Sequence, residues 1–473
     1  MRAVLSVASE CAPLVKTGGL ADVAGALPAA MAGQGWRMRT LIPGYPSVMA
    51  QLDNASVHWE AAELFGGPAR LWGGRVAGLD LIVLDAPHLY DRDGSIYLST
   101  QGADWPDNPE RFAALCWVAA MIARDGLLDW RPELVHCHDW QAALTPTYLK
   151  SQGTAVPSLL TIHNVAFHGL AGPDRLFALR LPADRFNPDG FEFYGQISAL
   201  KAGLMDADAI STVSPTYARE LMTPDFGMGL DGVLRMRAGD LHGILNGIDL
   251  DIWSPATDPA IAQFSTPRGK ARARAGLLAE FGIEDGGGPL AIVVSRLTGQ
   301  KGLDLLLEAA PRFLAQGGSL AVLGSGERWL EDRFRLLAER EPRVGTRIGY
   351  DEPLSHRMFA GADAVLVPSR FEPCGLTQMY GLRYGAVPLV ARTGGLADTV
   401  IDANEAALRA GVATGIVVTP GDPGALAQGL ERLCTLHADP VAWSRIQRNA
   451  MRHPVGWEDS AARYAQLYAA LAG

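Results

Sequence analysis

The hexapeptide TGGLAD occurs twice, in "KTGGLADV" (Lys16–Val23) and in "RTGGLADT" (Arg392–Thr399), each time behind a basic residue. Upstream of the first copy, "AVLSVAS" (3–9) reads as a short buried strand; downstream, "LADVAGALPAAMAGQG" reads as a helix that stops on glycines. The second copy follows another apolar run, "VPLVAR" (387–392). Paired glycines let a chain turn sharply and let a ligand come close to the backbone. The free amides at a helix start, with the positive end of the dipole, suit a phosphate or other anion. Lys16 and Arg392 stand where a cation adds attraction. A plain strand-to-helix turn is the alternative reading. Neither copy is G-x-G-x-x-G, "GSGERW" from Gly324 lacks the third glycine, and G-x-x-x-x-G-K-[ST] is absent. A dinucleotide dehydrogenase and a P-loop enzyme are therefore unsupported.

Working outward, short Val/Ile/Leu-rich runs alternate with helical patterns at both ends of the chain. "RTLIPG", "LDLIVLDAP", "ELVHCHDW" and "PSLLTIHN" continue the first series; "LAIVVSR" (290–296), "LAVLGSG" (320–326), "VGTRIGY", "DAVLVPSR" and "VPLVAR" form the second. Such alternation predicts an α/β fold with parallel sheets covered on both faces. A length of 473 residues exceeds one ordinary core. The turn-rich "LNGIDLDIWSPATDPA" and the loop "EDGGGP" (284–289) place a domain boundary near Asn246 to Ser254. The two hexapeptides are too far apart for a solenoid.

A net charge of -10 leaves no footprint for nucleic acid and argues against an anionic lipid surface. The five cysteines are odd in number and contain no C-x-x-C, so they form neither a disulfide framework nor a zinc ribbon. No segment is apolar for long enough to span a bilayer, and the first residues lack a signal-peptide pattern. The expectation is a cytoplasmic protein.

Polar residues gather at the ends of the expected strands. "SRLTGQKGLD" (295–304) puts Arg296 and Lys301 beside Gly302, where two cations could clamp a diphosphate or simply be solvated. "PSRFEPCGLTQMYGL" (368–382) sets Glu372 just past a strand, with amides at Gly375, Leu376 and Thr377 opening a helix. Glu372 could oppose positive charge in a transition state, or only complement the helix dipole. "HCHDWQAAL" (136–144) and "TIHNVAFHG" (161–169) invite a metal reading, yet no third ligand stands at a recognised spacing. Asp139, Trp140, His163 and Asn164 better suit a sugar, meeting hydroxyls and a ring face. The triplets "DRD" (91–93), "DAD" (206–208) and "DLD" (249–251) end no strand of the second series and read as structural.

Taken in order, "KTGGLADV", "DWPDNPERF", "HDW", "TIHN", "LKAGLMDADAISTVSPTYARE", "GILNGID", "SRLTGQKGLDLL", "SRFEPCGLTQMYGLRYG" and "RTGGLADTV" resemble the motifs of bacterial glycogen synthases and plant starch synthases, and the likeness continues to "GWEDSAARYAQLY". The resemblance implies a GT-B fold of two Rossmann-like domains, parallel sheets facing across a deep interdomain cleft. It implies domains at 1–245 (acceptor side) and 246–455 (donor side), with a helix over 456–473 packing back on the first. It implies transfer of glucose from ADP-glucose to the non-reducing end of an α-1,4-glucan, with retention and without a metal or other cofactor. Both TGGLAD loops would then hold one diphosphate, which would answer why the loop is written twice, and a hinge at 246–254 would close on the donor.

On matching positions, the resemblance gives Lys16, Arg296 and Lys301 to the donor's phosphates, with amides near Gly18, Gly19, Gly375, Leu376, Thr377, Thr393 and Gly394. Tyr350 would stack on the base, and Glu372, His163 and Asn246 would hold the transferred glucose. Asp22, Tyr97, Asp139, Trp140 and Asn164 would meet donor sugar or acceptor glucan, and Cys374 would be a packed neighbour in the donor loop. Nucleic acid and membrane are not expected partners, and a homo-oligomer is compatible with the sequence. A non-catalytic sugar-nucleotide sensor is the reading from another class; Lys16, Lys301 and Glu372, all present, speak against it.

Overall fold

A computed structural model describes residues 1–53 and 55–473. It divides into two compact units, Met1–Asn246 with Trp457–Gly473, and Gly247–Gly456. The chain thus passes between the units twice.

The first unit is built on nine strands: Arg2–Val7 (β1), Trp36–Pro43 (β2), Ser56–Ala61 (β3), Ala69–Val76 (β4), Leu79–Asp85 (β5), Leu134–His138 (β6), Ser158–Ile162 (β7) and, after a small three-stranded sheet of Leu170–Ala171 (β8), Glu192–Phe193 (β9) and Gln196–Ser198 (β10), Ala209–Thr212 (β11) and Leu241–Gly243 (β12). The large sheet runs β12-β11-β7-β6-β1-β2-β5-β4-β3. Seven strands are parallel, but β4 and β3 lie antiparallel at one edge. This corrects the expectation of a wholly parallel sheet. "ARLWGGRV" carries paired glycines, and both it and "SVHWEA" have exposed polar positions, the composition of a half-solvated edge rather than of a doubly covered centre.

The helix Gly19–Ala32 and the C-terminal helix Glu458–Ala472 cover one face of this sheet. Val23, Leu27 and Met31 of the first meet Ala461, Tyr464 and Tyr468 of the second in one buried cluster with Val4, Trp36 and Leu134. The tyrosines do more than fill space: Tyr468 OH lies 2.6 Å from His136 Nδ1 in the middle of β6.

The second unit is a six-stranded, fully parallel sheet of Leu290–Val294 (β13), Ser319–Gly324 (β14), Val344–Ile348 (β15), Ala364–Val367 (β16), Val387–Ala391 (β17) and Ile416–Val418 (β18), in the order β15-β14-β13-β16-β17-β18. Its central strands are apolar on both faces, as a sheet covered by helices on each side requires. Each sheet reverses its winding once, at β1/β6 in the first unit and at β13/β16 in the second. The crevice beyond the carboxyl ends at such a reversal is where open α/β sheets bind ligands.

Candidate active site

In the second unit, the loops after β13, β16 and β17 are neighbours because those strands are neighbours. Lys301 comes from the first loop and Glu372 from the second, and Lys301 Nζ stands 2.5 Å from Glu372 Oε2. Ser369 Oγ donates to the same oxygen at 2.9 Å. Both side chains are largely buried, 17% and 10% exposed, so water screens their attraction poorly. Arg296, on the Lys301 loop, is exposed, and its guanidinium has no ion pair or side-chain hydrogen bond among the described residues. It is a cation with its donors free.

The third loop closes on the second. Gly395 N–H donates to the carbonyls of Glu372 and Pro373 at 3.2 and 3.0 Å. Gly394 has φ +44, and a Cβ there would lie 1.9 Å from the Glu372 carbonyl oxygen. Only glycine fits. Thr393 precedes the short helix Gly394–Thr399 and is buried. Gln378, fully buried in the helix Thr377–Tyr384, donates to the carbonyls of Cys374 and Gly375 at 3.0 and 2.8 Å and to Thr399 Oγ1 at 3.2 Å. It ties the Glu372 loop to the end of the helix that the second TGGLAD opens. Cys374 is buried, Leu376 precedes that helix, and Thr377 Oγ1 reaches the Val294 carbonyl at 3.4 Å. Lys301, Glu372, Cys374, Gly375, Leu376, Thr377, Thr393 and Gly394 therefore form one cluster. Tyr350 stands apart, 75% exposed past the end of edge strand β15, its hydroxyl donating to Glu352 at 2.5 Å.

In the first unit, the loops after β1, β6 and β7 meet in the same way. Asp139, at φ +56, accepts the N–H of His163 at 2.6 Å and of Asn164 at 3.2 Å through Oδ1. Desolvation pushes its carboxyl up to about 7, against the pull of those two amides, with Glu10 adding a smaller upward push. His163 Nε2 lies 3.1 Å from His138 Nδ1, and His138 Nε2 lies 3.2 Å from Ser6 Oγ. His136, His138 and His163 are all held below the ordinary imidazole range by burial, so the row is neutral. The histidines bond to hydroxyls and to each other; among the described residues no group of three His, Cys, Asp or Glu is placed to hold a metal ion. In the D-x-D triplets, Asp206 pairs with Arg185, Asp208 with Ser158 and Asp249 with the amides of Asp251 and Ile252, while in "DRD" it is the middle Arg92 that pairs, with Asp107.

Lys16 is paired with Asp22 at 2.7 Å, and Gly18 and Gly19 are exposed at the helix start. Tyr97 OH is 2.7 Å from Ser9 Oγ. Trp140 is half-buried with its ring edge-on to Phe112, centroids 5.0 Å apart. Asn246, the last residue of the first segment, is buried and its Oδ1 lacks a hydrogen-bond partner among the described residues.

Sequence reasoning missed three groups. Glu10 is buried with Oε2 accepting the Thr17 N–H at 2.5 Å, and burial raises its pKa. Ser369 orients Glu372, and Gln378 fastens the loop that follows it. Nothing in local pattern marks them, although Ser369 and Gln378 lie inside the densest motif. Thr298, whose buried Oγ1 also lacks a partner among the described residues, lies between Arg296 and Lys301.

Residues 3–236 match the family described as starch synthase catalytic domain, and residues 280–450 match glycosyl transferases group 1. The chain is 62% identical over 473 residues to a glycogen synthase of Paracoccus denitrificans (strain Pd 1222) and 60% identical over 472 residues to one of Jannaschia sp. (strain CCS1), with full coverage of both chains in each case. Among solved structures it resembles the catalytic domain of starch synthase IV from Arabidopsis thaliana bound to ADP and acarbose, with TM-score 0.88, 30% identity and 99% of each chain covered. Two α/β units with parallel sheets, each ending its functional loops at a winding reversal, are the GT-B-type architecture. The chain belongs to the glycogen and starch synthase family of glycosyltransferases.

Proposed function

We propose that the protein transfers glucose from ADP-glucose to the non-reducing end of an α-1,4-glucan, with retention and without a divalent cation. The observation that carries this is the Lys301–Glu372 pair at the β13/β16 reversal, flanked by Arg296 and by the glycine-opened helix at Gly394. Breaking the glucose–phosphate bond leaves a diphosphate whose negative charge grows in the transition state. Lys301 and Arg296, with the amides near Gly375 and Gly394, supply positive charge where it grows. Lys16 and the Gly18–Gly19 amides would add to the hold on the donor's phosphates. These cations and dipoles take the part a metal ion plays elsewhere.

The sugar passes through an oxocarbenium-like state. Retaining hydrolases use two carboxylates about 5–5.5 Å apart. Here Glu372 is held through one oxygen by Lys301 and Ser369, an arrangement that suits an ionised carboxylate fixed beside the sugar more than a covalent nucleophile. The leaving diphosphate, remaining on the face it left, would assist attack by the acceptor hydroxyl. His163, Asn246 and Asn164 would hold glucose hydroxyls, and Tyr350 would stack on adenine. The Arabidopsis structure, bound to ADP and acarbose, supports an adenine nucleotide and a glucan-like acceptor.

The test is transfer of labelled glucose to glycogen from ADP-glucose and UDP-glucose side by side, in chelator, for the wild type and Glu372→Ala. Incorporation from ADP-glucose, indifferent to chelator and at least about 100-fold lower in the variant, is expected. Preference for UDP-glucose would refute the donor, and a glucosyl adduct trapped on Glu372 would refute the mechanism.

A further inference from the structure

The loops after β13 and β16 are joined by much more than the Lys301–Glu372 contact. Arg370, two residues before Glu372, donates Nη1 and Nη2 to Asp304 Oδ1 and Oδ2 at 2.7 and 2.6 Å, a parallel two-bond fork. Nη1 also donates to the Gly299 carbonyl, and the Arg370 N–H donates to the Gln300 carbonyl at 2.8 Å. Gln300 Nε2 returns a bond to the Phe371 carbonyl at 3.3 Å. Gly302, at φ +66, lies so close beneath this segment that a Cβ would stand 2.1 Å from the Pro368 carbonyl oxygen. Gly299, Gln300 and Asp304 are thus each bonded to residues 368–371, and Gly302 packs against them. Lys301 lies in the middle of the fixed stretch.

We propose that Arg370 and Asp304 are positioning residues for the transfer reaction: their fork sets where the Lys301 ammonium lies relative to Glu372. The inference rests on the function proposed above. Neither residue need touch substrate. The geometry that matters is angular as well as electrostatic, because a guanidinium fork fixes two loops in register and a lysine ammonium does not. Displacing a catalytic group by about 1 Å can cost about 100-fold in rate, so holding the two loops in register is a role distinct from holding the fold together.

The experiment compares wild type, Arg370→Lys, Asp304→Asn and the double variant, after circular dichroism establishes that each is folded. Glucose transfer gives kcat and KM; calorimetry gives ADP affinity. Arg370→Lys, which keeps charge and bulk, is expected to lose kcat by about tenfold or more while ADP binding weakens by a smaller factor, about threefold. The double variant is expected to be no worse than the poorer single one, since both substitutions break one fork. Arg370→Lys within about twofold of wild type, or single losses that multiply in the double variant, overturns the proposal. A wild type that moves glucose from neither donor removes the functional reading instead; ADP titration then decides the fork, and unchanged affinity in Arg370→Lys overturns it.

Discussion

The two TGGLAD loops have one sequence and two physical situations. In the first, Thr17, Gly18 and Gly19 are exposed, Gly18 has extended backbone (φ −159), and a Cβ built on it would meet nothing within 4 Å. In the second, Thr393, Gly394 and Gly395 are buried, Gly394 needs a positive φ, and a Cβ on Gly395 would lie 2.3 Å from the Cys374 carbonyl oxygen. The positions also differ in topology. The first loop follows the strand at which its sheet reverses; the second follows β17, one strand beyond the reversal, while the loop after β13 is "SRLTGQKG". The repeat is therefore not the same place in two copies of one fold. In the first loop the glycine leaves space in front of the helix start. In the second it makes room for the Glu372 loop behind it.

The largest expected effect breaks the second loop. Gly394→Ala must displace the Glu372 carbonyl or strain the backbone, and should lower Tm by several degrees while cutting transfer at least about 100-fold, read by thermal unfolding and by labelled-glucose incorporation. Near-wild-type values would mean that the two loops are alike after all.

The next effect concerns charge rather than shape. Glu372 has Lys301 beside it, whereas Asp139 has two amides and no cation among the described residues. A carboxyl raised from its ordinary value to about 7 favours the folded state only when protonated. The folded chain then binds more protons than the unfolded one between about pH 4 and 7, so stability falls as pH rises through that window. Asp139→Asn keeps an acceptor for both amides, tolerates the positive φ, and lacks the charge. Its Tm should exceed that of wild type at pH 8 and converge with it near pH 4. A constant offset across that range would show that ionisation of Asp139 does not set its share of the stability.

Smaller effects sharpen the contrast between the basic neighbours. Lys16 is paired to Asp22 beside an exposed loop, whereas Arg392 borders a buried loop whose Gly395 N–H is taken by the carbonyls of Glu372 and Pro373. Lys16→Ala should raise KM for the donor about tenfold, and Arg392→Ala about twofold or less, in steady-state kinetics. Equal losses would restore the symmetry that the hexapeptide suggests. The smallest stability change belongs to Gly18→Ala. An N-cap glycine replaced by alanine in open space should move Tm by no more than about 2 °C. Any large fall in transfer by that variant would then report the ligand and not the fold.

Much of this molecule is legible in its sequence. The strand ends at 294, 367 and 391 follow from apolar runs that stop just before polar clusters, and hydrophobic periodicity is a local property. The antiparallel edge of β3 and β4 is not legible there, since two half-exposed strands, one interrupted by a glycine pair, carry little apolar pattern. Ordered motifs over the whole length were enough for the family, because each is a contiguous stretch whose residue types are dictated by nearby backbone and ligand chemistry.

What the chain alone determined was its α/β character, the polar clusters and their candidate chemistry. Tertiary structure alone decided which clusters touch and why: Lys301 against Glu372 across 71 residues, Arg370 against Asp304 across 66, Tyr468 against His136 across 332. Strand order brings these pairs together, and strand order is set by how helices and sheets bury their apolar faces over the whole unit. The same six letters are therefore an open, exposed turn in one place and a packed wedge in another, because a glycine records only that a side chain is absent, and its surroundings decide what uses the space.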